Sequence, residues 1–140
     1  MQLIERTPTA EEYAGLRRAV GWPELNLDAL VTGLRNSLYA VCVLDDDGRL
    51  VGCGRVVGDG GIYFYLQDVI VLPDHQRRGH GRRIMDALMG HVARPARENS
   101  FIGLMAAAGV AGYYHRYGFV ERPADRAGMG QYWKPGIARP

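Results

Sequence analysis

A chain of 140 residues, 47% apolar and 23% charged, has the make-up of one soluble globular domain spanning 1–140, with no second domain required. A net charge of +2, with sixteen of the seventeen cations Arg, is too slight for a nucleic-acid surface, and no apolar run approaches the roughly 18 residues of a membrane span. Cys42 and Cys53 sit in separate apolar runs and the four histidines match no ligand spacing, so buried free thiols and no metal are expected.

The opening Met1 to Arg6 lacks a basic leader and an apolar targeting core, which points to a cytoplasmic, unprocessed protein. Leu3 and Ile4 can open a short strand. Thr9 and Glu12 have capping-box spacing, and Tyr13, Leu16 and Val20 follow at helical intervals until Gly21 and Pro23 stop the pattern. Asn26 can cap a second helix that carries Leu27, Leu30, Val31 and Leu34 on one face and ends at Asn36. Trp22, in the connection, reads as core packing. Leu38 to Leu44 and Leu50 to Val57 are rich in strand formers and flank Asp45-Asp46-Asp47-Gly48, which reads as a solvated hairpin turn. Gly58 to Gly61 makes the next turn.

Tyr65 to Leu72 is an apolar, β-branched run broken only by Gln67 and Asp68, and Pro73 ends it. From Gly79 the period changes: Ile84, Met85, Leu88, Met89 and Val92 form one helical stripe. Between strand and helix lies Gln76-Arg77-Arg78-Gly79-His80-Gly81. Two glycines where a helix begins allow a ligand close to the backbone, and the first-turn amides have no intrahelical acceptors. Such a loop can cradle an anion. Arg77, Arg78, Arg82 and Arg83 crowd the positive end of the helix dipole, a conflict that a bound anion relieves. A Walker A loop would need Lys and then Ser or Thr after the second glycine, where the chain has Arg82 and Arg83; a dinucleotide fingerprint would need a third glycine where it has Ile84.

Beyond this helix, Phe101 to Ala107 reads as a strand parallel to Tyr65–Leu72, with the helix as crossover. A short helix opening at Gly109 or Gly112 carries Tyr113, Tyr114 and Tyr117, with Gly118 as its stop. Phe119-Val120 starts another strand, Gly128 to Trp133 offers a last edge strand, and Pro135 and Pro140 mark a loose end.

Gln76-x-x-Gly79-x-Gly81 between a strand and a helix resembles motif A of the GNAT superfamily, the acetyl-CoA-dependent N-acetyltransferases. Tyr113-Tyr114-His115-Arg116-Tyr117-Gly118-Phe119 is similar to the aromatic-Tyr-x-x-x-Gly-Phe segment that ends the family's next helix. The resemblance implies an α/β (α+β) fold: a mixed, mostly antiparallel twisted sheet of six to seven strands, with about four helices on both faces. It further implies acetyl transfer from acetyl-CoA directly to a primary amine, with a small molecule as the expected acceptor. A peptide or protein acceptor and a non-catalytic acyl-CoA sensor are the alternatives. No nucleic acid, membrane or metal enters this expectation, and a homodimer is compatible with it.

On the same footing, the phosphates fall to Gln76, Arg77, Arg78, Gly79, His80, Gly81 and Arg82. Counting back from Gln76 by the family spacing puts the N–H that polarises the thioester carbonyl at Ile70 and a pantetheine contact at Leu72, with Val71 between them; a backbone N–H can serve as an oxyanion donor whatever its side chain. Tyr114 falls at the general-acid position for the leaving thiolate, and Tyr117 is a packing or cofactor-lining group. Asp68, a carboxylate in an apolar strand, is the candidate base, or alternatively a group that bonds the neighbouring backbone or attracts the amine. The helices before the sheet overlie the acceptor site in the family. Ala106-Ala107-Ala108-Gly109 departs from the Asn that many relatives carry there, which removes one guide to how the acceptor is oriented.

Overall fold

The structure, a computed structural model, describes residues 1–135; Pro140, expected to mark a loose end, lies outside them. The chain divides into two compact units, Met1–Met105 and Ala106–Pro140.

The first unit is built on a five-stranded sheet in the order β1 (Gln2–Glu5), β2 (Tyr39–Leu44), β3 (Leu50–Gly58), β4 (Tyr63–Val71) and β5 (Phe101–Leu104). The first three pairings are antiparallel and β4–β5 is parallel, as the crossover rule requires when α3 (His80–Val92) joins two neighbours. Helices α1 (Ala10–Ala19) and α2 (Leu27–Arg35) separate β1 from β2. Both start where their side-chain caps put them. The Glu12 amide donates to Thr9 Oγ1 at 3.2 Å and the Thr9 amide to Glu12 Oε2 at 2.8 Å, while Asn26 Oδ1 accepts from the Ala29 amide at 3.0 Å. Such caps satisfy amides that the helix itself cannot.

Alternation along β3 sends its residues to two layers. Gly52 and Gly54 face α3; a Cβ on Gly54 would lie 2.4 Å from Ile84 Cγ2 and 3.1 Å from Leu88 Cδ1. The absent side chains let α3 approach and bury Ile84, Met85, Leu88 and Val92, each worth roughly 1.5–3 kcal/mol of transfer free energy. Cys53 faces the other way and joins Ile70 of β4 in a cluster with Tyr13, Leu16, Leu30 and Leu34 of α1 and α2. Helices therefore cover both faces of the sheet.

In the second unit, α4 spans Ala111–His115 and a single 3-10 turn covers Ala124–Arg126. The strand count falls short of the six to seven expected. Phe119-Val120 and Gly128 to Trp133 form no strand; Val120 is 82% and Tyr132 92% exposed. Their residues suit a strand, but a strand needs a neighbour to satisfy its backbone, and none pairs with them among the described residues. The strand expected over Phe101 to Ala107 ends at Leu104.

Candidate active site

The loop after β4 is fixed by its own backbone. A 3-10 turn at Pro73–His75 closes with the His75 amide donating to Leu72 O at 2.8 Å and the Gln76 amide to Pro73 O at 3.2 Å. Gln76 Nε2 then donates to Val71 O at 2.9 Å, tying the loop to the strand it left. Arg77 (φ 61°) and Gly79 (φ 82°) take left-handed conformations. Gly79 is the N-cap of α3, and the first helical bond runs from the Arg83 amide to Gly79 O at 3.1 Å. The amides of His80, Gly81 and Arg82 consequently open the helix without intrahelical acceptors. Arg77, Arg78, Arg82 and Arg83 are exposed around them. Arg82 lies 3.9 Å from Asp86, and the other three have no ion-pair partner among the described residues. The start of α3 thus combines N–H donors without intrahelical acceptors, the positive end of a helix dipole and exposed cations, a combination that suits an anion.

His80 is buried beside this cradle, with Nδ1 lacking a hydrogen bond. Burial, and then Arg83, His75 and Arg78, push its pKa below the ordinary 6.5, so at neutral pH it is an uncharged imidazole.

The strand leading into the loop is bent. Asp68 has φ 58°, and the β3–β4 register changes between Cys53↔Ile70 and Arg55↔Gln67, which inserts one residue into β4 as a bulge. The parallel ladder with β5 ends just before it, at Leu66↔Leu104. From Gln67 onward the outer edge of β4 has no strand partner among the described residues.

The bulge also decides which amides face that edge, and here the sequence expectation is corrected. The Leu72 amide donates to Val51 O at 2.8 Å. Ile70, two residues earlier in the same register and opposite Cys53, likewise turns its peptide groups toward β3, because ladder orientation repeats every second residue. Neither Ile70 nor Leu72 has an N–H free for a ligand. Val71 faces the other way, as its carbonyl bond to Gln76 shows, and Val69 does so by the same alternation. Val69 and Val71 therefore carry the edge-facing amides; Ile70 contributes a core side chain.

Asp68 is 3% exposed. Its Oδ2 accepts from Arg55 Nε at 2.6 Å, and Arg55 Nη1 donates onward to Gly33 O at 3.0 Å and Ser37 Oγ at 3.1 Å. Asp68 Oδ1 has no hydrogen bond. Tyr13 is close enough that burial, followed by the Asp68 charge, pushes its hydroxyl up to about 12. The carboxylate is thus half of an internal ion pair, with no face turned to solvent. The sequence reading missed Arg55 and took Tyr13 only as a helix-one position, without its link to Asp68. A lone Arg in one apolar strand and a lone Asp in the next was the available signal, since buried opposite charges are kept only as partners.

The second unit holds Tyr114. Its ring meets Tyr113 edge-on at 5.3 Å and Phe119 at 6.4 Å, and Arg116 lies 4.7 Å over the Tyr113 ring. Burial, then the neighbouring Tyr113, raises the Tyr114 pKa above 10, so the phenol keeps its proton at neutral pH. Tyr117 packs 5.9 Å from Tyr113.

The acetyltransferase (GNAT) domain family matches residues 37–121. An uncharacterized N-acetyltransferase of Porphyra purpurea is 31% identical over 127 residues, covering 89% of this chain and 71% of the relative. A histone acetyltransferase of Glycine max is 30% identical over 127 residues, covering 83% and 53%. Among solved structures, a protein of unknown function from meticillin-resistant Staphylococcus aureus is similar at 32% identity and TM-score 0.87, over 94% of this chain and 98% of that one.

Proposed function

Because the chain belongs to the GNAT acetyltransferase family, we propose that it transfers acetyl from acetyl-CoA directly to a primary amine of a small molecule. One observation carries the cofactor half of this reading: the unpaired amides and exposed arginines at the start of α3 adjoin the bent, unpartnered edge of β4. A pyrophosphate answers the first feature, and an extended amide-bearing arm answers the second, since it can exchange hydrogen bonds with a strand edge as another strand would.

In this reading the first-turn amides from His80 to Arg82 hold the phosphates, and Arg77, Arg78 and Arg82 add charge-assisted bonds. The Val69 or Val71 amide faces the thioester oxygen and stabilises the negative charge that develops as the amine attacks. The bond that forms joins the amine nitrogen to the acetyl carbon; the bonds that break are carbon to sulfur and one amine N–H, whose proton passes to solvent and replaces the one that Tyr114 gives up. Tyr114, on its match to the family's acid position, returns a proton to the departing thiolate. Asp68 acts through the strand it bends rather than as the base.

The name of the Glycine max relative favours a second reading, in which the amine belongs to a protein. Thiol release from acetyl-CoA with a panel of polyamines, arylalkylamines, aminoglycosides, amino acids and short peptides separates the two. Release with one small-amine class is expected. Release with peptides alone would replace the small-molecule reading, and acetyl-CoA binding without release across the panel would favour the sensor.

A further inference from the structure

Asp68 poses a physical problem that the reaction does not require it to solve. It is a non-glycine residue at φ 58°, buried, charged and inside a strand, and each property is unfavourable by itself. Its one ion-pair partner among the described residues is Arg55 on β3, at 2.6 Å, with the two side chains 15% and 1% exposed. The same guanidinium reaches the C-terminal end of α2 through Gly33 O and Ser37 Oγ, where a cation also complements the helix dipole. Arg55 thus joins three elements at one point: β3, the bulge of β4 and the end of α2. Its planar fork has enough donors to do so at once.

The bulge is what converts an ordinary ladder into an exposed one. Without the extra residue, the alternation set by Gln67 opposite Arg55 would run on unchanged, and Val69 and Val71 would turn their amides into β3. We infer that Arg55 is a positioning residue: by pairing with Asp68 it holds the bulge, and the bulge aims the Val69 and Val71 amides at the open edge. This rests on the acetyl-CoA reading above, but its subject is a residue that touches neither cofactor nor acceptor. Lys is a partial substitute, since one ammonium can neutralise Asp68 but cannot reproduce the fork.

The test compares the wild-type chain with Arg55→Met and Arg55→Lys by acetyl-CoA calorimetry, steady-state thiol release and amide hydrogen exchange. Arg55→Met is expected to weaken acetyl-CoA binding about tenfold, to raise KM for acetyl-CoA more than it lowers kcat, and to speed exchange selectively over 67–72. Arg55→Lys is expected to recover part of the affinity. If Arg55→Met fails to fold, Arg55→Met with Asp68→Asn removes both buried charges together and should show the same local exchange and weakened binding. Unchanged affinity in the charge-free chain, or faster exchange spread evenly over the sheet, would overturn the inference. Failure of the wild-type chain to bind acetyl-CoA would instead overturn the functional reading on which it rests.

Discussion

Tyr114 is half-buried, and its raised pKa keeps it protonated, the state a donor to a thiolate needs. Tyr114→Phe removes one oxygen and leaves the ring contacts with Tyr113 and Phe119. It is expected to lower kcat about a hundredfold while acetyl-CoA affinity by calorimetry stays within about twofold; an unchanged kcat would remove Tyr114 from the chemistry. Residue types in the cradle could be read directly from the sequence, because glycines and arginines before a helix have few other uses. The amide assignments could not. The offset from Ile70 and Leu72 to Val69 and Val71 follows from backbone direction, which side-chain identity does not report when every residue from Val69 to Leu72 is apolar.

At the level of elements, α1 and α2 begin within a residue of the positions their caps indicate, since Thr9, Glu12 and Asn26 act locally. The bulge in β4 left only Asp68 as a trace, because its cause lies on another strand, at Arg55. Phe119-Val120 and Gly128 to Trp133 form no strand for the same reason: β-propensity is a statement about a neighbouring strand as much as about a sequence. Two glycines make the packing argument testable. Gly54→Ala drives a methyl into Ile84 and Leu88, both fully buried, and is expected to destabilise the chain by about 1–3 kcal/mol. Gly90→Ala, in α3 with open space at its Cβ, should stabilise it by about 0.5–1 kcal/mol. Urea unfolding of both variants checks the opposite signs.

Over the whole molecule, two imidazoles make stability fall just below neutral pH. His80 and His91 both have pKa values lowered first by burial; His91, stacked on Tyr39 at 4.2 Å, is further affected by Arg94 downward and Glu5 upward. The folded chain prefers them neutral, so below about pH 6.5 the unfolded chain binds more protons. Their contribution is complete above that pH and is lost as pH falls through it toward the lower folded values. The urea midpoint should therefore drop between pH 7.5 and 5.5, and His91→Gln should flatten the drop; a pH-independent midpoint would refute this. The sheet's strand order has a different consequence, for the chain as it is made. Strands β2, β3 and β4 pair through short turns, whereas β5 arrives only after the whole of α3, so an emerging chain displays β4 with one side bare. A run such as Tyr63-Phe64-Tyr65-Leu66 invites pairing with another nascent copy.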